Sequence, residues 1–210
     1  MQVLPMEARV RQALSATSET PPRPLCDLEL PFALDRWLGP GMTRNFRPAA
    51  VLIPLLRREE GLSVLLTRRA DTLRSHGGQI SFPGGRRDDT DRSAAENALR
   101  EAEEEVGLDP AGVDIIGYLD DYPTVTRYLV TPVVGVASGP FSWRVDAAEV
   151  AEIFEIPLAL ALDVSAYQRK SLVRQGIRLP FLELPFGEYR IWGATAGMLY
   201  NLARQVERHG

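Results

Sequence analysis

Apolar positions recur along this chain with two different periods. Over 5–16 (PMEARVRQALSA), Met6, Val10, Ala13 and Leu14 fall at helical spacing, which predicts a short N-terminal helix. Residues 20–31 hold four prolines and read as an extended connector, and 35–41 read as a helical turn. From Arg47 the texture becomes β-rich. Residues 49–56 (AAVLIPLL) and 62–67 (LSVLLT) predict a hairpin closed by a five-residue polar turn, 57–61. Residues 68–85 are basic, then glycine-rich, with a strand-like stretch at 79–82. A helix is predicted between Ser93 and Gly107. Strands follow over 113–119 and 129–137, joined by a loop over 120–128. Residues 146–154 predict a short helix or turn, 171–184 carry two weak strand signals, and 193–208 form a final amphipathic helix. Strands and helices mix without a regular βαβ rhythm, so the fold class is α+β.

The helix before Gly107 is the unusual one. Ser93 and Glu96 fit a capping box at its start, and Gly107 suits its end. Ala95, Ala98, Leu99, Ala102 and Val106 share a face narrow enough to approach a sheet. Against that stripe stand Glu101, Glu103, Glu104 and Glu105. At about 100° per residue, Glu101, Glu104 and Glu105 span an arc of roughly 100°, while Glu103 points away. Unpaired carboxylates so placed repel and raise one another's pKa. A divalent cation removes that cost, and hard Mg²⁺ prefers carboxylate and water oxygens. Arg100 lies four residues from both Glu96 and Glu104 and can tie the cluster through i,i+4 pairs. Upstream, Phe82-Pro-Gly-Gly85 allows a tight turn, close ligand approach and a free carbonyl. A plain acidic face beside a plain turn would suit either feature alone; their adjacency favours a site.

Composition narrows the setting. The chain has 210 residues, 45% hydrophobic and 25% charged, enough for one sizeable domain. Its net charge of −4 argues against broad affinity for nucleic acid or an anionic membrane. A local basic cluster can still serve an anionic small molecule. Cys26 is alone, so no intramolecular disulfide forms, which fits a reducing compartment. No apolar run reaches transmembrane length, and no secretion or peroxisomal signal is evident, so the expected location is the cytoplasm.

Gly85, followed by Arg100-Glu-Ala-Glu-Glu-Glu-Val-Gly-Leu108, resembles the Nudix box, G-x5-E-x7-R-E-U-x-E-E-x-G-U with U apolar. The second half matches at every fixed position. The first half departs: its loop is one residue longer, with Asp91 or Asp88 in place of the first glutamate. Residues 65–85 (LLTRRADTLRSHGGQISFPGG) are similar to a motif of the coenzyme A pyrophosphatases within that superfamily, with Ala70 as the one mismatch, and 189–196 (YRIWGATA) also suits them. The resemblance covers roughly residues 47 to 205. It divides the chain into 1–45, an N-terminal helix and proline-rich connector, and 46–210, a Nudix hydrolase domain.

The resemblance implies a mixed β-sheet sandwiched between helices (α/β/α), with the box as a catalytic loop-helix-loop. It implies an enzyme that hydrolyses the pyrophosphate of coenzyme A or acyl derivatives with Mg²⁺ or Mn²⁺, to 4′-phosphopantetheine and adenosine 3′,5′-bisphosphate. Glu101 and Glu105 would be metal ligands with the Gly85 carbonyl, Glu104 a further ligand or the general base, and Arg100 its orienting partner. Arg68, Arg69, Arg74 and His76 would bind phosphate; the bland reading is a solvated, partly salt-bridged loop. Tyr118, Tyr122, Tyr128 and Trp192 could stack on adenine or simply belong to the core and its rim. The expected partner is a CoA-like nucleotide, with no nucleic acid and no membrane, and a homodimer is left open. Hydrolysis of ADP-ribose, NADH or another nucleoside diphosphate derivative, and a non-enzymatic Nudix-fold ligand sensor, stand as the other readings.

Overall fold

The computed structural model describes residues 5–19, 45–72, 76–174 and 177–210. The connector at 20–31, Cys26, the turn expected at 35–41 and Arg74 lie outside these. In chain order the elements are α1 (Met6–Leu14), β1 (Arg47–Arg58), β2 (Gly61–Arg69), β3 (Ile80–Ser81), β4 (Gly84–Arg86), α2 (Ala94–Val106), β5 (Val113–Tyr118), β6 (Tyr122–Pro123), β7 (Tyr128–Ala137), β8 (Val150–Pro157), α3 (Leu158–Ala161), β9 (Gln168–Arg174), β10 (Ile177–Phe186), β11 (Tyr189–Trp192) and α4 (Ala194–His209).

Every residue of β1 from Ala49 to Leu56 is apolar, so the strand needs cover on both faces and lies at the centre of the main sheet. It pairs antiparallel with β2 and β4 and parallel with β7. β2 also pairs with β3 and β8, and β7 with β5 and β6. A second antiparallel sheet has the order β11-β10-β9. One face of the main sheet packs Ala50, Leu52 and Val133 against Ala98, Ala102 and Val106 of α2. The opposite face packs Ile53, Leu55 and Val134 against Val10 and Leu14 of α1, Leu199 and Leu202 of α4, and Leu182 and Leu184 of β10. The expected α+β sandwich is thus present, and α1 shares its core.

Two local expectations need correction. The first hairpin does not use a five-residue turn, because Arg58 pairs with Gly61 and only Glu59 and Glu60 form the turn. Charged residues continue the ladder there because their side chains find partners outside it: Arg57 on Glu7 at 2.6 Å and Arg58 on Glu155 at 2.5 Å. Residues 150–154 are strand rather than helix, for β8 pairs along β2 from Val150 to Pro157. Ladder pairing overrides the helical tendency of Val150-Ala-Glu there, while 147–149 form a turn.

Candidate active site

α2 starts and stops where its sequence says it should. The Ser93 hydroxyl accepts from the Glu96 N–H at 3.0 Å, and Gly107 ends the helix with a left-handed φ of 72°. The capping box is only half formed, since the Glu96 carboxylate accepts from the N–H and guanidinium of Arg92 instead. Arg100 therefore does not hold Glu96, contrary to the i,i+4 expectation. It binds Glu104 at 2.9 Å, Glu101 at 2.8 Å and Asp91 at 3.1 Å. Asp91 is nearly fully buried, and the Arg100 guanidinium holds its carboxyl below the usual range. The first acidic residue of the box is thereby accounted for as the anchor of Arg100.

The glutamates of α2 divide by environment. Glu104 is 60% exposed and faces solvent with Arg100, and Glu103 is exposed, as its angle predicts. Glu101 is 17% exposed and Glu105 3%. These two lie one turn apart and face inward, so the three-carboxylate flank reduces to a pair. Burial pushes the Glu101 carboxyl up and the Glu105 carboxyl to about 8. Among the described residues neither oxygen of Glu105 makes a hydrogen bond of ordinary geometry, although the Gly84 N–H is near enough to lower its pKa slightly. Its nearest cation, Arg69, stands 3.9 Å away.

Gly85 lies directly across from this pair. A Cβ at that position would sit 2.5 Å from a Glu101 carboxylate oxygen, so only glycine lets the carboxylate rest against β4. Flanking bonds from Leu52 N–H to Pro83 O and from Arg87 N–H to Pro48 O place Gly85 and Ala50 in a hydrogen-bonded ladder pair. The Gly85 carbonyl therefore keeps one lone pair beyond the ladder.

A third acidic residue, Glu149, was not singled out by sequence. It stands close enough to raise the pKa of both Glu101 and Glu105, and it lies 3.9 Å from Arg69. The turn that carries it is docked on the end of α2: Arg144 N–H donates to Val106 O at 3.1 Å and Asp146 N–H to Glu105 O at 3.0 Å. Asp146 closes the turn by accepting from the Ala148 N–H at 2.8 Å. That Asp-x-x-Glu turn ahead of an alternating strand was the available signal.

The cations named from sequence separate. Adjacent residues on β2 point to opposite faces of the sheet, so these neighbours meet different partners. Arg69 enters the carboxylate group, whereas Arg68 is held by Glu152 at 3.1 Å and Asp71 at 3.3 Å. The Tyr189 hydroxyl also donates to Glu152, and its ring stacks on Phe154 with centroids 3.9 Å apart. His76 is exposed, has a left-handed φ of 61° and shares a 2.8 Å hydrogen bond with Gln79. Tyr122 is buried in the core, Tyr118 and Tyr128 pack at its margins, and Trp192 meets Phe181 edge-on.

The donors suit a hard divalent ion: two inward carboxylates, one of them buried with no close hydrogen bond among the described residues, and a backbone oxygen. Among the described residues no three His, Cys, Asp or Glu side chains form a ready cage. Mg²⁺ needs none, because it keeps several waters and takes one or two carboxylates. Likewise, no helix among them is long and apolar enough to cross a membrane.

Comparisons with known proteins agree with this geometry. The NUDIX domain model matches residues 46–174. NudL, a Nudix hydrolase of Cronobacter sakazakii, is 44% identical over 185 residues, covering 84% of this chain and 96% of its own. NudL of Escherichia coli K12 is 46% identical over 164 residues, covering 78% and 85%. Among solved structures, a MutT protein from Methanosarcina mazei aligns with a TM-score of 0.45 at 25% identity, covering 56% of this chain and 82% of its own. The domain match over 46–174 and the two NudL relatives show that the chain belongs to the Nudix hydrolase family.

Proposed function

We propose that this Nudix hydrolase cleaves the pyrophosphate of coenzyme A, giving 4′-phosphopantetheine and adenosine 3′,5′-bisphosphate. One observation carries the reading. The two segments that resemble coenzyme A pyrophosphatases, 65–85 and 189–196, are far apart in sequence yet adjoin in space. The Thr195 hydroxyl donates to the Ile80 carbonyl at 2.9 Å, and Arg68, Glu152 and Tyr189 form one network beside it. A substrate-specific wall built from both segments accounts for their joint presence.

In this proposal Glu101, Glu105 and the Gly85 carbonyl hold Mg²⁺ or Mn²⁺, which supplies charge neutralisation for the two phosphoryl groups. Arg69 meets a phosphoryl oxygen, because among the described residues its guanidinium faces the buried carboxylate Glu105 and Glu149. Arg68 is committed to Glu152 and braces the wall. Glu149 is 47% exposed, so its carboxylate can meet water and take the proton as the water oxygen bonds to phosphorus and the bridging P–O bond breaks. Glu104 then orients Arg100 rather than acting as base. The test is a panel of coenzyme A, 3′-dephospho-coenzyme A, ADP-ribose and NADH with Mg²⁺ or Mn²⁺ and product identification. Coenzyme A should show the highest kcat/KM and yield the two named products. A better rate with ADP-ribose or NADH would remove the coenzyme A assignment and leave diphosphate hydrolysis.

A further inference from the structure

The family match begins at residue 46, yet residues 5–19 reach the catalytic helix. α1 is fastened at one end by Glu7 to Arg57 at 2.6 Å and by Arg11 to Asp114 of β5 at 2.8 Å. Beyond it the chain crosses β5. The Thr17 hydroxyl accepts from the Tyr118 N–H at 2.9 Å and donates to the Leu14 carbonyl at 2.6 Å. The Glu19 carboxylate then accepts from the N–H of Ala94, the first residue of α2, at 2.9 Å. That N–H is one of the four that a helix start cannot satisfy itself, and Ser93 already serves Glu96.

β5 is shaped for this crossing. Its register shifts between Ile115 and Gly117, and Gly117 has φ 155°. A Cβ there would stand 2.6 Å from the Thr17 hydroxyl and 2.7 Å from the Leu14 Cβ. A bulge with a glycine at the point of contact is a built passage for another segment of chain.

We infer that residues 5–19 are a docking arm that positions the catalytic helix, with Glu19 as its positioning residue. Ala94 lies at the junction between the loop bearing Asp91 and the helix bearing Arg100. Asp91 holds Arg100 at 3.1 Å, and Arg100 holds Glu101 at 2.8 Å. Fixing Ala94 sets the spacing of loop against helix, and through Arg100 the aim of Glu101. The negative charge of Glu19 at a helix N-terminus adds to the effect.

The inference rests on the metal assignment proposed above, and the test separates the two. Mn²⁺ alone is titrated into the full-length protein by electron paramagnetic resonance, and amide exchange is followed over residues 94–101. Glu19→Ala should weaken Mn²⁺ binding about fivefold, equivalent to about 1 kcal/mol, and speed exchange at residues 94–97. Glu19→Gln keeps an oxygen acceptor and should restore affinity to within about twofold. Gly117→Ala displaces the arm without touching α2 and should reproduce the Glu19→Ala shift, which covers the case in which Glu19→Ala does not fold. If Glu19→Ala or Gly117→Ala binds Mn²⁺ like wild type, whatever its melting temperature, Glu19 is only a cap and the inference is overturned. Should wild type bind no Mn²⁺, the metal assignment fails, and the exchange rates decide alone: unchanged rates at residues 94–97 in both variants overturn the arm.

Discussion

Glu105→Gln should change the pH dependence of stability in a direction opposite to the usual loss of a buried carboxylate. Glu105 is 3% exposed, its oxygens lack hydrogen bonds of ordinary geometry among the described residues, and desolvation outweighs Arg69 and the Gly84 N–H to lift its pKa from 4.5 to about 8. Between those values the metal-free folded state binds more protons than the unfolded chain. Stability must therefore fall as pH rises through that window. The advantage of the protonated form is fully present below pH 4.5 and is lost by about pH 8. Each pH unit within the window is worth about 1.4 kcal/mol. From pH 6 to pH 8, allowing for partial titration at the upper end, wild type should lose about 2 kcal/mol relative to Glu105→Gln. The assay is urea unfolding of both proteins in EDTA at pH 6 and pH 8. Comparing the change in the gap between them cancels any pH-independent cost of burying the amide. Saturating Mn²⁺ should then stabilise wild type more than the variant, by mass action on the folded state. A gap that stays constant within about 0.5 kcal/mol across the two pH values, well inside the expected change, would refute a buried, metal-awaiting Glu105.

Arg100→Ala should lower stability by about 3 kcal/mol in urea unfolding, because it leaves Asp91 buried without its cation. It should weaken Mn²⁺ binding as well; a pure rise in KM with unchanged metal affinity would make Arg100 a substrate contact. Glu149→Gln should reduce kcat at least ~100-fold, within the range for a lost general base, while Mn²⁺ affinity changes little. Glu103→Gln should leave both quantities at their wild-type values, since that side chain faces solvent.

How much of this was legible in the sequence depends on whether the partners were local. The start and stop of α2, its packed stripe and the outward turn of Glu103 follow from helical angle and cap chemistry, so they read correctly from one segment. Arg100 was half legible. Its i,i+4 partner Glu104 lies on the same helix, but Asp91 comes from the preceding loop, and Glu96 had an equally spaced competitor in Arg92. Glu105 and Glu104 are adjacent and alike in sequence. Their separation into a buried carboxylate facing only the distant Arg69 among the described residues and a solvated ion pair depends on which side of α2 meets β4. Arg68 and Arg69 are likewise adjacent; strand alternation sends them to opposite faces, but which face carries the carboxylates is set only when α2 packs on the sheet. Glu149 was missed because Ala-Ala-Glu has no period that marks a site; it sits in a turn whose place is set only when that turn docks on the end of α2. The crossing of β5 by residues 14–17 has no sequence period at all; its trace is a single glycine, Gly117, at a bulge. The short hairpin turn and the Arg92–Glu96 pair are local, but the remaining errors share one cause: β8, β2 and the N-terminal arm meet α2 over long sequence separations, and those meetings decide which charges are buried. The fold was readable because apolar periodicity is local, whereas the electrostatics of the site are tertiary and needed the structure.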